Sequence, residues 1–159
     1  MNGIIIKAMA DWAVIPIVLI GGYMLVFKIP KGRRLDAYKR VLIAGLTAYL
    51  MAKLISVIYQ PESKRPFELA GTAAGASFLN NPGFPSDHAL FVTAITCAVW
   101  FETKNKPISL ILAVLVIIVG VGRILAQVHT PLDVIGGIVI ALIGSLWYLN
   151  KPPTKSKVV

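Results

Sequence analysis

Two short stretches place residues that can do chemistry where a helix can hold them. In Gly83-Phe84-Pro85-Ser86-Asp87-His88 a serine, an aspartate and a histidine stand in front of an apolar run that continues to Trp100. From Arg123 to Asp133 an arginine, a histidine and an aspartate follow the spacing R-x5-H-x3-D. His88 and His129 are the only two histidines of the chain. A carboxylate four residues after a histidine, at a helix start, can hold one ring nitrogen and leave the other free as nucleophile or base. Ser86 and His88 sit where a helix N-terminus offers free backbone N–H groups to an anion. Arg65 and Arg123 add two planar, permanently charged forks suited to phosphate oxygens. The set reads as an oxyanion pocket with one nucleophilic and one acidic histidine.

Each residue alone also has a plainer reading. Ser86 is a good N-cap, and Asp87 in a first turn suits the helix dipole. Thr130-Pro131-Leu132-Asp133 is a helix start with a Thr cap, Pro at the first helical position and a carboxylate at the third. Both arginines could pair with lipid phosphates. The convergence of these residues carries the functional argument, not any one of them.

The elements that must position them are apolar. Of 159 residues 57% are hydrophobic and 14% charged, and the mean hydropathy is +0.76. That composition belongs in a bilayer. Five apolar segments are expected as helices, at about Asp11–Phe27, Val41–Tyr59, Ala89–Phe101, Pro107–Gly122 and Pro131–Leu149, the third reaching span length only from near Ser86. The fold class is an all-α integral membrane bundle of about five spans, one domain over residues 1–150. Residues 151–159 form a basic tail expected to be disordered. Residues 1–10 are expected to lie on the membrane surface, with no cleavable signal peptide, and the single cysteine, Cys97, excludes an intrachain disulfide.

The formal charge of +9 is distributed as a membrane protein distributes it. Six Lys/Arg fall between Lys28 and Arg40, with Lys104, Lys106, Lys151, Lys155 and Lys157 on the same side of a five-span chain. The positive-inside rule makes that side cytoplasmic, so the N-terminus is expected outside and the C-terminus inside, in the plasma membrane. The charge then serves orientation and anionic headgroups rather than nucleic acid. Residues 60–88 and 123–130 become the outer loops and gather Glu62, Lys64, Arg65, Glu68, Asp87, His88, Arg123 and His129.

Lys64-Arg65-Pro66-Phe67, Phe84-Pro85-Ser86-Asp87-His88 and Gly122-Arg123 through His129 to Asp133 resemble, in order and spacing, the three motifs K-x6-R-P, P-S-G-H and S-R-x5-H-x3-D of the type 2 phosphatidic acid phosphatase (PAP2) superfamily. The resemblance spans roughly residues 53–149. It implies that His129 attacks phosphorus, Asp133 orients it, and His88 protonates the leaving oxygen. It also implies that Arg65, Arg123 and Ser86 bind the phosphoryl group. No cofactor or metal is implied, and the chain has no H-E-x-x-H or Cys/His cluster.

The chain departs from that pattern at three points. Ile58 stands where the family lysine belongs, Asp87 replaces the motif glycine, and Gly122 replaces the motif serine. Lys64 and Lys53 are candidates for the missing lysine; Lys53 lies about 7.5 Å deeper along a helix than residue 58. Asp87 and Glu62 are further candidates, Asp87 either tuning His88 or binding substrate. A lysine-free first motif followed by F-P-S-D-H is similar to the undecaprenyl-diphosphate phosphatases of the superfamily. The implied substrate is a polyprenyl diphosphate in the bilayer, with phosphatidate or phosphatidylglycerophosphate as the alternative. A non-catalytic lipid-binding protein and a vanadium haloperoxidase are the rival classes.

Overall fold

Backbone crossing a bilayer must satisfy its own hydrogen bonds, and this chain does so with helices throughout. The computed structural model describes residues 3–61, 64–81 and 83–149, and among them there is no strand. Helix α1 covers Gly3–Phe27. After a short 3-10 turn at Lys31–Arg33, α2 covers Arg34–Ile58. A single turn, α3, covers Pro66–Leu69 within the long connection to α4, Asp87–Thr103. Helix α5 covers Lys106–Leu125, and α6 covers Pro131–Gly144 before tightening into 3-10 turns to Leu149.

Among the described residues four helical stretches are long and apolar enough to cross a membrane: Gly3–Phe27, Lys31–Ile58, Lys106–Leu125 and Pro131–Leu149. The chain is thus a multi-pass membrane protein. The expected third segment, α4, has 17 residues, about 26 Å of helix against a hydrocarbon core of about 30 Å. It lies at the centre of the bundle, packed on α1, α2, α5 and α6. A helix ringed by other helices needs little lipid-facing surface of its own. It can therefore be shorter and carry charge near both ends, at Asp87 and Glu102.

Two expected boundaries are corrected. Residues 3–10 do not lie along the surface; they are the first turns of α1, and Ala10 is fully buried against α5. Helix α2 begins well before the apolar run at Val41, because residues 34–40 are helical although basic. Lys and Arg are good helix formers, so charge alone does not end a helix at the interface.

Large side chains such as Leu19, Leu42, Leu54, Leu110 and Ile117 are exposed on the outside. In water that surface would be an aggregation liability; in lipid it matches its solvent. Inside, Ile17, Met24, Val92, Val99, Leu112, Val116 and Val119 lock α1, α4 and α5 together. The contact of α2 with α6 is made by small residues, Ala44, Ala48 and Ala52. Small side chains let helices approach closely where lipid gives no hydrophobic drive to associate.

Candidate active site

The segment joining α5 to α6 turns back on itself at Gln127, which adopts a left-handed conformation at φ 58°. That turn carries His129 to the head of α6, where its side chain is 5% exposed. Thr130 caps the helix. The Thr130 N–H donates to Asp133 Oδ2 at 2.8 Å, and the Asp133 N–H donates to Thr130 Oγ1 at 3.2 Å. The same Oδ2 lies 3.4 Å from His129 Nδ1. At that separation no hydrogen bond is formed, and Nδ1 is accordingly a buried atom without a bond. Asp133 thus caps the helix, and its carboxylate also lies behind the imidazole. Burial holds the His129 pKa below its ordinary value, Arg123 and Arg65 push the same way, and Asp133 opposes them. The ring is neutral at pH 7, the state a nucleophile needs.

Helix α4 starts beside α6. Ser86 is fully buried at its N-cap, its Oγ 3.5 Å from the Ala89 N–H. The Ser86 N–H donates to the Asp133 carbonyl at 2.9 Å, tying the two histidine-bearing segments together. Gly137 makes this approach possible: a Cβ there would lie 2.5 Å from the Ser86 carbonyl oxygen. His88 follows in the first turn of α4, half-buried and within electrostatic reach of Arg123, Asp11, His129 and Asp87.

Arg123, in the last turns of α5, is 1% exposed. Its Nη1 donates to Asp11 Oδ1 at 3.0 Å, and its Nε has no partner among the described residues. Asp11 lies in a π-helical turn of α1, Ala8–Trp12. Its carboxylate also accepts from Ser77, from the N–H at 3.0 Å and from Oγ at 2.9 Å. Sequence reading missed Asp11, treating it as the start of an apolar span. The available signal was a carboxylate in a segment that has to cross lipid, which is rare without a partner.

Arg65 is 8% exposed and braces the outer segment. Its Nη1 donates to the Val128 carbonyl at 2.6 Å, and its Nη2 to the Leu79 and Asn81 carbonyls at 3.1 Å and to Asn81 Oδ1 at 3.0 Å. Burial lowers its pKa, while Asp133, Glu68 and Asp87 raise it. The Asn81 amide in turn donates to Asp87 Oδ2 at 3.0 Å, and Asp87 receives the Lys53 ammonium at 3.0 Å and 3.2 Å. Lys53 thus reaches the head of α4 from within α2, and Asp87, in the motif-glycine position, is its partner. Lys64 is exposed and lines a cavity of about 490 Å³ with Arg65, Asn81, Thr130 and Asp133. Glu62 lies outside the described residues.

The structure thus brings together His88, His129, Asp133, Arg65, Arg123, Ser86, Asp87 and Lys53, and adds Asp11. Among the described residues no three His, Cys, Asp or Glu side chains gather as metal ligands do. A second cavity of about 540 Å³ begins at Lys53, Asp87 and Leu79. It runs between α2, α4 and α6 past Leu90 and Ala94 towards Cys97 and Tyr148. Asp87 lines this groove, and its hydrogen-bond partner Asn81 lines the smaller cavity.

The PAP2 superfamily model matches residues 38–157, which include both histidines, both site arginines and Asp133. The chain belongs to the PAP2 superfamily. A curated relative, the undecaprenyl-diphosphatase BcrC of Bacillus subtilis (strain 168), is 33% identical over 109 residues, 66% of this chain and 54% of the relative. The chain thus spans about half the length of the curated relative it matches. No solved structure matches it. The PAP2 match begins after α1, so Asp11 lies outside it.

Proposed function

We propose that this chain is an integral-membrane lipid phosphatase that hydrolyses a polyprenyl diphosphate to the monophosphate. The observation that carries the reading is one buried constellation. His129 has a carboxylate 3.4 Å behind Nδ1, Arg123 keeps an unpaired Nε, and Asp87, the residue before His88, lines an apolar groove. A buried guanidinium N–H without a partner is suited to an anion. The name of the Bacillus relative supports the choice of substrate.

The free nitrogen of His129, Nε2, attacks the terminal phosphorus. A P–N bond forms, the bridging P–O bond breaks, and His88 gives its proton to the departing prenyl monophosphate. Asp133 steadies the imidazolium formed in this step. Water then attacks the phosphohistidine, His88 takes its proton, the P–N bond breaks, and inorganic phosphate leaves. Arg123 and Arg65 meet the charge that develops on the equatorial oxygens, the work that preorganised cations do in phosphoryl transfer. A diphosphate suits a site without the motif lysine, because its leaving group is already a stabilised phosphate. The prenyl chain lies in the groove between α2, α4 and α6. The reaction uses no metal, and the site faces outward, with the N-terminus outside and the C-terminal tail in the cytoplasm.

A substrate panel tests this reading: undecaprenyl diphosphate, farnesyl diphosphate, phosphatidate and phosphatidylglycerophosphate, with and without EDTA. The expected result is the highest kcat/KM for a polyprenyl diphosphate, unchanged by chelator and inhibited by vanadate. Preference for phosphatidate or phosphatidylglycerophosphate would overturn the substrate. Loss of activity in EDTA, restored by Mg²⁺, would overturn the metal-free chemistry.

A further inference from the structure

The structure assigns Asp11 a part in the reaction: we propose that it is a positioning residue, which holds the Arg123 guanidinium so that its Nε edge is left for the phosphoryl group. The inference rests on the phosphatase reading but on different atoms. An arginine fork takes an oxyanion side-on through Nε and Nη2. Arg40 shows this edge at work, donating to the two Glu102 oxygens from Nε at 2.6 Å and Nη2 at 2.8 Å. In Arg123 the carboxylate takes Nη1 instead, and Nε has no partner. Asp11 thus balances the buried charge of Arg123 without occupying the edge that binds phosphate.

Three features of α1 build this arrangement. The π-helical turn at Ala8–Trp12 adds a residue to the helix, and such turns re-aim side chains, often at functional sites. Ser77 clamps the carboxylate through both its N–H and its hydroxyl, fixing Asp11 against the outer segment. Gly122 lets the turn approach α5: a Cβ there would lie 2.5 Å from Ala10 N and 2.6 Å from the Met9 carbonyl carbon. The motif serine is therefore missing for a steric reason. The space it would fill is taken by the backbone that presents Asp11. A helix outside the PAP2 match supplies a residue to the PAP2 site.

The test compares Asp11→Ala with wild type in purified, detergent-solubilised protein. It reads kcat/KM for the best substrate, the dissociation constant of vanadate by calorimetry, and the inhibition constant of inorganic phosphate. Vanadate can mimic the transition state and its affinity does not depend on the folded fraction, so a merely structural role leaves it unmoved. Asp11→Ala is expected to lower kcat/KM and weaken vanadate by a matching factor of about ten or more. Phosphate should change less than about threefold, because lost orientation and lost negative charge oppose each other in the ground state. Asp11→Ala added to Arg123→Ala should cost nothing further, since the two act as a unit. Ser77→Ala, which keeps the buried charges paired, covers the case of a poorly folded Asp11 variant and should move vanadate the same way by a smaller factor. Unchanged vanadate affinity in both variants, or additivity with Arg123→Ala, would overturn the assignment. Wild type that binds vanadate but releases no lipid phosphate would overturn the enzymatic reading alone and leave this comparison standing.

Discussion

The two ends of α4 each bury charge, and they do so differently. At the Thr103 end, Glu102 is 3% exposed and meets Arg40 in a two-point ion pair, with Arg33 at 4.0 Å. At the Asp87 end, Arg123 and His129 are as deeply buried, yet each keeps a polar atom without a hydrogen bond. Among the described residues only one other buried side-chain atom does so, Thr93 Oγ1. Unsatisfied buried donors cost stability, so a fold keeps them where something else pairs them. One end is closed by its own residues. At the other, Arg123 keeps an N–H edge that they leave open.

The strongest way to break this contrast is His129→Asn. It should abolish turnover, a loss of at least about ten-thousandfold, because the proposed mechanism forms its covalent intermediate on the His129 imidazole. Thermal stability in detergent should change little. Residual phosphate release near wild-type rates would show that the open end is not catalytic.

Asp133→Asn should cost about a hundredfold or more in kcat/KM and move the pH profile. With the His129 pKa already lowered by burial and the two arginines, the acid limb of wild type should fall below the ordinary histidine value of about 6.5. Removing Asp133 takes away the influence that raises that pKa, so the limb should move lower still. A limb at or above that value, after correction for substrate ionisation, contradicts this electrostatic account. Loss of folding in step with activity would make Asp133 a cap alone.

Arg40→Met tests the closed end. It strands Glu102 without its close partner and should lower stability by roughly 3 kcal/mol, seen as an earlier unfolding transition. Per folded molecule, kcat should stay near wild type. A specific loss of kcat would erase the distinction between the ends.

Lys53→Met gives the smallest expected effect. Its pair with Asp87 is partly exposed, with side chains 39% and 32% accessible, so stability should drop by less than about 1 kcal/mol. Activity should fall only severalfold, since Arg123 and Arg65 remain. A loss as large as that of His129→Asn would make Lys53 the replacement for the motif lysine.

The sequence by itself determined the helices and the chemical core of the site. Long apolar runs have one solution in lipid, and Ser86 and Thr130 mark the heads of α4 and α6 through local capping. The i, i+4 spacing of His129 and Asp133 is local too, so their proximity follows from the helix alone. Tertiary structure decided the rest. Whether Lys53 meets Asp87 depends on how α2 packs on α4, and the brace from Arg65 to Val128 links residues 63 positions apart. Asp11 is the clearest case. Its partner, Arg123, is 112 positions away. Their meeting requires a π-helical turn in α1 and a glycine on α5 that no local pattern joins. Capping and spacing act within a turn and can be read along the chain. The close approach of two helices is set by every side chain between them, and only the folded bundle fixes it.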